Sequence, residues 1–335
     1  MKDVASVAGV SLATVSRVVN ANHDVRADLA ARVQDAVDVL GYRRDLTAST
    51  LRRTDRLSST IGLIIEDVAN PFFSAVHRGV EDVARARGVL TFAGSSDEDP
   101  GRERELAEAF AARGVDGLVI VPCSSDQGYL SRDRDSGTAL VFVDRPPRFI
   151  DADAVVSDNA GGAKAAVEHL VAAGHRRIAF LGDRPSVSTA TERRRGYREA
   201  LAAAGIGAEP ALERVGLVGS RAAELAAGDL LVAPDAPTAL FAAQNLIAIG
   251  AIRALREHRL QRQVALVGFD DVMLADMVEP GITVVMQDPY TLGRHAAELL
   301  FSRLNGFDGE SRLHVVPTEL MARGSGEIAP AGARR

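Results

Sequence analysis

Residues 4–20 read VASVAGVSLATVSRVVN. Two short amphipathic pieces flank a Gly-Val-Ser turn, and their reading decides the fold. A helix-turn-helix needs a first helix, a tight turn and a second helix whose outer face is free. Gly9 suits the turn, Val10 is placed to plug the space between the helices, and Ser11 is a good N-cap for the second helix. On that helix Val15, Val18 and Val19 share one face, while Leu12, Ala13, Ser16, Arg17 and Asn20 fall on the other. Arg can chelate a guanine edge, Ser can hydrogen-bond bases or phosphate, and Leu or Ala can contact a thymine methyl. The same spacing also suits a plain helical hairpin within a three-helix unit. Leu29, Val33, Ala36, Val37 and Leu40 mark the third helix and Gly41 its end; Val4, Val7 and Ala8 mark the first.

Charge and composition narrow the choice. The chain has 335 residues, 47% hydrophobic and 25% charged, with net charge −6. That is ordinary for a globular protein of two to three domains. Residues 1–60 are the exception in sign, with nine Lys/Arg against seven Asp/Glu. The excess gathers at Arg43, Arg44, Arg52, Arg53 and Arg56, which suits a small polyanion-binding segment on an acidic body. A single cysteine, Cys123, excludes an internal disulfide and a cysteine-based metal cluster. No apolar run is long enough to span a membrane and no apolar signal core opens the chain, so a cytoplasmic location is expected.

From Thr60 onward, apolar runs of strand length alternate with helical stretches: TIGLIIE, VLTFAG, GLVIV, ALVFVD, AVVSD, IAFLG, TALFAA, VALVGFD and ITVVMQ. Such alternation implies parallel sheets with helices on both faces. The number of units exceeds one comfortable sheet, so two α/β subdomains with a cleft between them are expected, the ligand sitting at the carboxyl ends of the strands. Residues 43–59 have a linker composition around the helix-compatible piece LTASTL. No internal repeat is visible beyond the β-α unit.

The opening stretch, extended to KDVASVAGVSLATVSRVVN, closely resembles the N-terminus of the LacI/GalR family of bacterial repressors. The resemblance continues in order through VLGY, TIGLIIEDVANPFF, GVDGLVIVP, HLVAAGHRRIAFLG, RRRGYREAL, VALVGFDD, PGITVV and RGS. It implies a helix-turn-helix headpiece at 1–42, a hinge helix and linker at 43–59, and a periplasmic-binding-protein-like (type I) α/β sensor at 60–328. The N-subdomain would span about 60–155 and 286–313, the C-subdomain about 156–285 and 314–328, with a tail at 329–335. It further implies that the second helix enters the major groove, with Leu12 and Ala13 as specificity positions and Ser11, Thr14, Ser16, Arg17 and Asn20 around them. Tyr42 would touch the DNA backbone. Ala48 and Leu51 would belong to a hinge helix whose leucine wedges into the minor groove. A homodimer on a palindromic operator follows, because dimers read half-sites related by twofold symmetry. In the body, Phe72 and Phe73 would be aromatic walls and Asp144, Arg193, Asn245 and Asp270 the polar set for a small-molecule effector, a sugar or sugar derivative, with a purine or a phosphorylated effector as the alternative, and with no cofactor.

Four departures from the family pattern stand out. Arg43, Arg44 and Asp45 replace a common Arg-Pro-Asn, and Arg26 stands where a Ser commonly caps the third helix. Leu246 follows Asn245 in place of Asp, and VGLVGS lacks an aromatic that often stacks on the ligand.

The rival readings are an enzyme and a sugar-binding protein of the periplasmic type without a DNA role. No GxGxxG lies at a strand-to-helix turn, and neither GxxxxGK[ST] nor HExxH occurs. Cys123 has no placed His partner, His175 and His295 read as helix-end or helix-surface residues, and the adjacent Asp270 and Asp271 point apart. The expectation is a non-enzymatic, metal-free regulator. The N-terminal 59 residues distinguish it from a transport binding protein.

Overall fold

The computed structural model describes residues 1–19, 25–42 and 58–331. Asn20, Ala48 and Leu51, and with them Arg43, Arg44, Asp45, Arg52, Arg53 and Arg56, lie outside the described residues. The chain forms two compact units, Met1–Ser58 and Ser59–Arg335.

In the first unit, α1 (Lys2–Ala8), α2 (Leu12–Val19) and α3 (Ala27–Leu40) enclose Val4, Ala8, Val15, Val33 and Ala36, all buried. Val10, Val18, Val19, Val37 and Tyr42 pack against this core. Gly9 ends α1 in the left-handed conformation (φ 61°), which an L side chain rarely adopts. Three residues chosen for the core by spacing are not in it: Leu29, which is half-buried, Val7 and Leu40. Val7 is 57% and Leu40 43% exposed, because a core of this size closes over a narrow stripe of each helix. Arg26 occupies the N-cap position of α3 and makes no capping hydrogen bond; its guanidinium pairs with Asp28.

The second unit contains two six-stranded sheets. The first has the order β11-β5-β4-β3-β1-β2, built from β1 (Thr60–Ile65), β2 (Leu90–Ser95), β3 (Gly117–Ile120), β4 (Ala139–Val143), β5 (Asp153–Ser157) and β11 (Leu313–Val316). The second has the order β12-β10-β9-β8-β6-β7, from β6 (Ile178–Leu181), β7 (Glu213–Arg214), β8 (Ala239–Ala242), β9 (Ala265–Phe269), β10 (Thr283–Met286) and β12 (Glu319–Met321). Strand for strand the two orders correspond, so the body is a topological duplication that the sequence does not display. The one difference is at the edge: β11 runs parallel to β5, whereas β12 runs antiparallel to β10.

Helices α4 (Pro71–Ala86), α5 (Pro100–Ala112) and α11 (Pro289–Leu304) flank the first sheet, with the short α6 (Ser131–Asp135) between β3 and β4. The second sheet is flanked by α7 (Asn159–Ala172), α8 (Ser188–Ala203), α9 (Gly219–Leu231) and α10 (Asn245–Glu257). Helix α9, the two-residue β7, β11 and β12 are not among the elements that the sequence predicts. Helices α4 and α11 touch backbone to backbone: a methyl group on Gly79 would overlap the Tyr290 carbonyl, and one on Gly293 the Val76 carbonyl.

The chain passes between the sheets at 158, 287–288 and 317–318. These crossings fall a few residues beyond the expected 155, 285 and 313, because each strand continues until its ladder partners end. Asp158 and Asp288 cap α7 and α11 immediately after two of them, accepting from Gly161 N (2.8 Å) and Thr291 N (2.9 Å).

Candidate functional site

The headpiece first. Ser11 Oγ accepts from Thr14 N at 3.1 Å, closing the start of α2. Ser11, Leu12, Ala13 and Arg17 are exposed, Leu12 at 47%, and Thr14 and Ser16 are half-buried beside them. A second helix thus presents apolar, hydroxyl and guanidinium groups outward while Val15 holds it to the core. Tyr42 is half-buried, its N–H donating to Val37 O at 2.9 Å. Sequence reasoning missed Arg32. From α3 its Nη2 donates to Ala8 O (2.6 Å) and Gly9 O (3.2 Å), so a cation binds the carbonyl end of α1 and fixes the turn.

In the body, the carboxyl ends of the strands in both sheets face a common cleft of about 420 Å³ including its mouth. Phe72, Phe73, Asp144, Arg193, Asn245 and Asp270 all line it. The two phenylalanines are also buried core residues, packed edge to face with centroids 5.0 Å apart. Asp144 follows β4 and Asp270 follows β9, the equivalent strand of the other sheet. Both have φ 71°, and both donate backbone N–H to the neighbouring strand, to Val155 O and Val285 O at 2.9 Å. Two equivalent strand-end aspartates in an uncommon backbone conformation therefore meet from opposite sides.

Arg193 on α8 is buried and stacked 3.9 Å above the Phe269 ring. Its Nε donates to Asn159 Oδ1 (2.7 Å) and its Nη1 to Ala243 O (2.9 Å), with Asp270 Oδ2 at 3.9 Å. Burial pushes its pKa below the usual guanidinium value, against the attraction of Asp270 and Asp144. Burial likewise raises the Asp144 carboxyl, although Arg145 and Arg193 pull it down.

The structure adds residues that sequence reasoning missed. Glu66, Asn70, Arg145, Asp183 and Gln287 also line the cleft. Arg145 is buried, with Nη1 2.5 Å from Glu98, Nη2 2.9 Å from Glu66 and Nε 3.3 Å from Asp144. One guanidinium thus serves three carboxylates, and Glu66 is left short of positive charge. Burial pushes Glu66 up to about 8; Arg145 opposes this, and Glu98 and Asp144 reinforce it. Asn70 caps α4 through Phe72 N (3.1 Å), and the same Oδ1 accepts from Asn245 Nδ2 at 2.8 Å. This bond ties the two sheets' loops together across the cleft. Gln287, at a crossing between the sheets, donates to Asp270, and its Oε1 is buried without a partner. Glu66 and Asn70 lie within TIGLIIEDVANPFF and Gln287 ends ITVVMQ, while Arg145 and Asp183 directly follow ALVFVD and IAFLG; position at a strand end is the sequence signal that could have found them.

Among the described residues no cluster of three His, Cys, Asp or Glu is placed to hold a metal ion. No described helix is long and apolar enough to cross a membrane.

Comparison with known proteins now settles the class. Residues 1–45 match the model for bacterial regulatory proteins of the lacI family, and residues 167–326 that for the periplasmic binding protein-like domain. The transcriptional regulator CelR of Thermobifida fusca is 34% identical, covering 96% of this chain and 97% of that protein. The transcriptional repressor PurR of Vibrio atlanticus (strain LGP32) is 30% identical, with the same coverage of 96% and 97%. The chain belongs to the lacI family of bacterial regulatory proteins.

As a lacI-family member it is a DNA-binding transcriptional regulator with a helix-turn-helix and a periplasmic-binding-like α/β body. The Lac repressor dimer bound to operator and an anti-inducer superposes with a TM-score of 0.85 at 26% identity, covering 97% of this chain and 98% of that one. A CelR–cellobiose complex gives 0.72 at 32% identity, with the same coverage of 97% and 98%.

Proposed function

We propose that this lacI-family regulator is a repressor. It binds a palindromic operator as a homodimer and is released when a small-molecule effector, a sugar or sugar derivative, occupies the cleft. In this reading residues 1–42 read DNA, 43–59 form the hinge that includes Ala48 and Leu51, and 60–328 sense the effector. Ser11, Leu12, Ala13, Thr14, Ser16, Arg17 and Asn20 meet the groove, and Tyr42 meets the DNA backbone. The chain acts in the cytoplasm, where its operator is.

The observation that carries the effector half is the chemistry of the cleft. Phe72 and Phe73 offer ring faces, while Asp144, Asp270, Arg193, Asn245 and Gln287 offer hydroxyl-binding groups from both sheets. Arg145 is taken up by Glu66, Glu98 and Asp144, and Arg193 faces Asp270, so the cleft suits an uncharged polyol better than a phosphorylated effector. The CelR–cellobiose complex supports the same class. Binding without turnover fits the one thiol nearby: burial and Glu103 push Cys123 up to about 12, so it is a poor nucleophile.

The test is operator binding by fluorescence anisotropy, with and without a panel of neutral sugars and their phosphates. A neutral sugar should weaken operator affinity, and operator should weaken that sugar's affinity by the same factor. Equal sugar affinity with and without operator would refute release by effector.

A further inference from the structure

Arg193 is the only cation that the second sheet's side contributes to the described lining of the cleft, and its guanidinium is held on three sides. The Phe269 ring at the end of β9 sets its plane, the Ala243 carbonyl just beyond β8 takes Nη1, and Asn159 Oδ1 takes Nε at 2.7 Å. Among the described residues Asn159 is the one side chain within hydrogen-bond distance of this guanidinium, since Asp270 stands at 3.9 Å. Asn159 is itself buried and is not among the residues that line the cleft. It can act on a bound molecule only through Arg193.

The two partners of the Asn159 amide fix which way it points, because a guanidinium only donates and a carbonyl only accepts. Oδ1 faces Arg193, and Nδ2 donates to the Ser157 carbonyl at 3.2 Å. Ser157 is the last residue of β5 in the first sheet, and Asn159 is the first residue of α7 on the second, one residue past the crossing at 158. A single amide thus joins the end of one sheet to the cleft arginine of the other. The chain passes between the sheets at three places only, so any change in their separation turns about these crossings. The start of α7 cannot slide along α8 to absorb such a turn. The two helices touch backbone to backbone there: a methyl group on Gly196, three residues after Arg193, would lie 2.2 Å from the Ala160 carbonyl oxygen.

We propose that Asn159 is a positioning residue for the effector: it aims Arg193 at the ligand and makes that aim depend on the geometry of the crossing at 158. The two halves of the amide divide the work. Oδ1 supplies affinity, because without it the buried Nε–H has no acceptor and the guanidinium is free to turn toward Asp270. Nδ2 supplies coupling, because when the sheets turn about 158 the Ser157 carbonyl carries the amide with it and the guanidinium follows. Two arrangements of the sheets then hold Arg193 differently, and a ligand that prefers one of them shifts the balance between the two. This inference rests on the reading that the cleft binds a sugar effector.

The experiment is calorimetric titration of the full chain with glucose, galactose, ribose, cellobiose and maltose, with and without operator duplex, for the wild type, Asn159→Ala and Asn159→Asp. Aspartate keeps an acceptor for Arg193 Nε and loses the donor to Ser157; at the first position of a helix its charge is well tolerated. For the sugar that binds the wild type, Asn159→Ala should weaken binding tenfold or more. Asn159→Asp should stay within threefold of the wild type in the absence of operator. The factor by which operator weakens sugar binding should nevertheless fall at least threefold in Asn159→Asp, a change that a merely structural residue would not produce at unchanged thermal midpoint. Equal weakening by both variants overturns the positioning of Arg193. An Asn159→Asp protein with the wild-type coupling factor overturns the link to the crossing, and this arm decides alone if Asn159→Ala does not fold. A wild type that binds none of these sugars overturns the sugar reading and this inference with it.

Discussion

Replacing Glu66 by glutamine removes one titrating proton from the cleft and keeps the shape of the side chain. Glu66 carries a folded-state pKa of about 8 against an ordinary value of 4.5, set by burial and by Glu98 and Asp144 crowding the single Arg145. A carboxyl whose folded pKa is raised binds its proton more tightly in the native state than in the unfolded chain. Its contribution is therefore fully present below pH 4.5 and is lost as pH rises toward 8. One such proton changes stability by at most about 1.4 kcal/mol per pH unit. Between pH 5 and 7.5 the wild type should thus lose about 3 kcal/mol through this group.

Other groups titrate in the same window with the opposite sign. Burial lowers His175; burial and Arg294 lower His295, so both favour the folded state at higher pH. The difference between variant and wild type removes them. The assay is the thermal midpoint of the body's unfolding transition at pH 5, 6, 7 and 8 for both proteins. At about 2 °C per kcal/mol for a unit of this size, Glu66→Gln should match the wild type at pH 5. By pH 8 its midpoint should be about 5 °C or more higher. Parallel midpoints at all four pH values would refute the claim that Glu66 is held neutral, and a variant that falls behind as pH rises would reverse it.

Asp153 is fully buried and accepts from Arg303 and Arg312 side chains at 2.9 Å and from Arg312 N at 2.7 Å. Burial resists its charge, but these bonds win and lower it to about 2. Asp153→Asn should cost about 3–5 kcal/mol in chemical denaturation, and the wild type should lose this contribution only as pH falls from about 4 to 2. Gly79→Ala should cost about 1–3 kcal/mol by forcing α4 off the Tyr290 carbonyl, whereas Gly207→Ala, with nothing within 4 Å, should be neutral by the same thermal measurement. Arg32→Ala should weaken the α1 turn by about 1.5–3 kcal/mol and lower affinity alike for every operator sequence in a gel-shift series. Substitution at Leu12 should instead change which base pair is preferred at one position.

The sequence carries the fold because its apolar runs have the length and spacing that buried parallel strands require. Val15, Ser11 and Gly9 are equally legible: a cap, a turn and a core face are each fixed by local chemistry. The cleft is legible where a strand-end residue matches the family's polar set, as Asp144 and Asp270 do. Glu66 and Arg145 escape notice because, read locally, they are a charged pair of residues at strand ends, the usual place for solvated groups. Whether they are solvated depends on residues far apart in the chain, since Arg145 reaches Glu66 79 residues away and Glu98 47 residues away. The same holds for Asn70. Locally it is an N-cap, and only the fold brings Asn245 to its second lone pair. What cannot be read from one stretch is therefore any property that two stretches share. In this protein one of those shared properties lies between the sheets, the Asn70–Asn245 bond, whereas the guanidinium of Arg145 is divided among three carboxylates that all stand at the first sheet's strand ends. That bond changes if the two sheets change their separation. A ligand that touches both sides thereby acts on groups already balanced across the gap, which is the physical requirement for a cleft that reports occupancy.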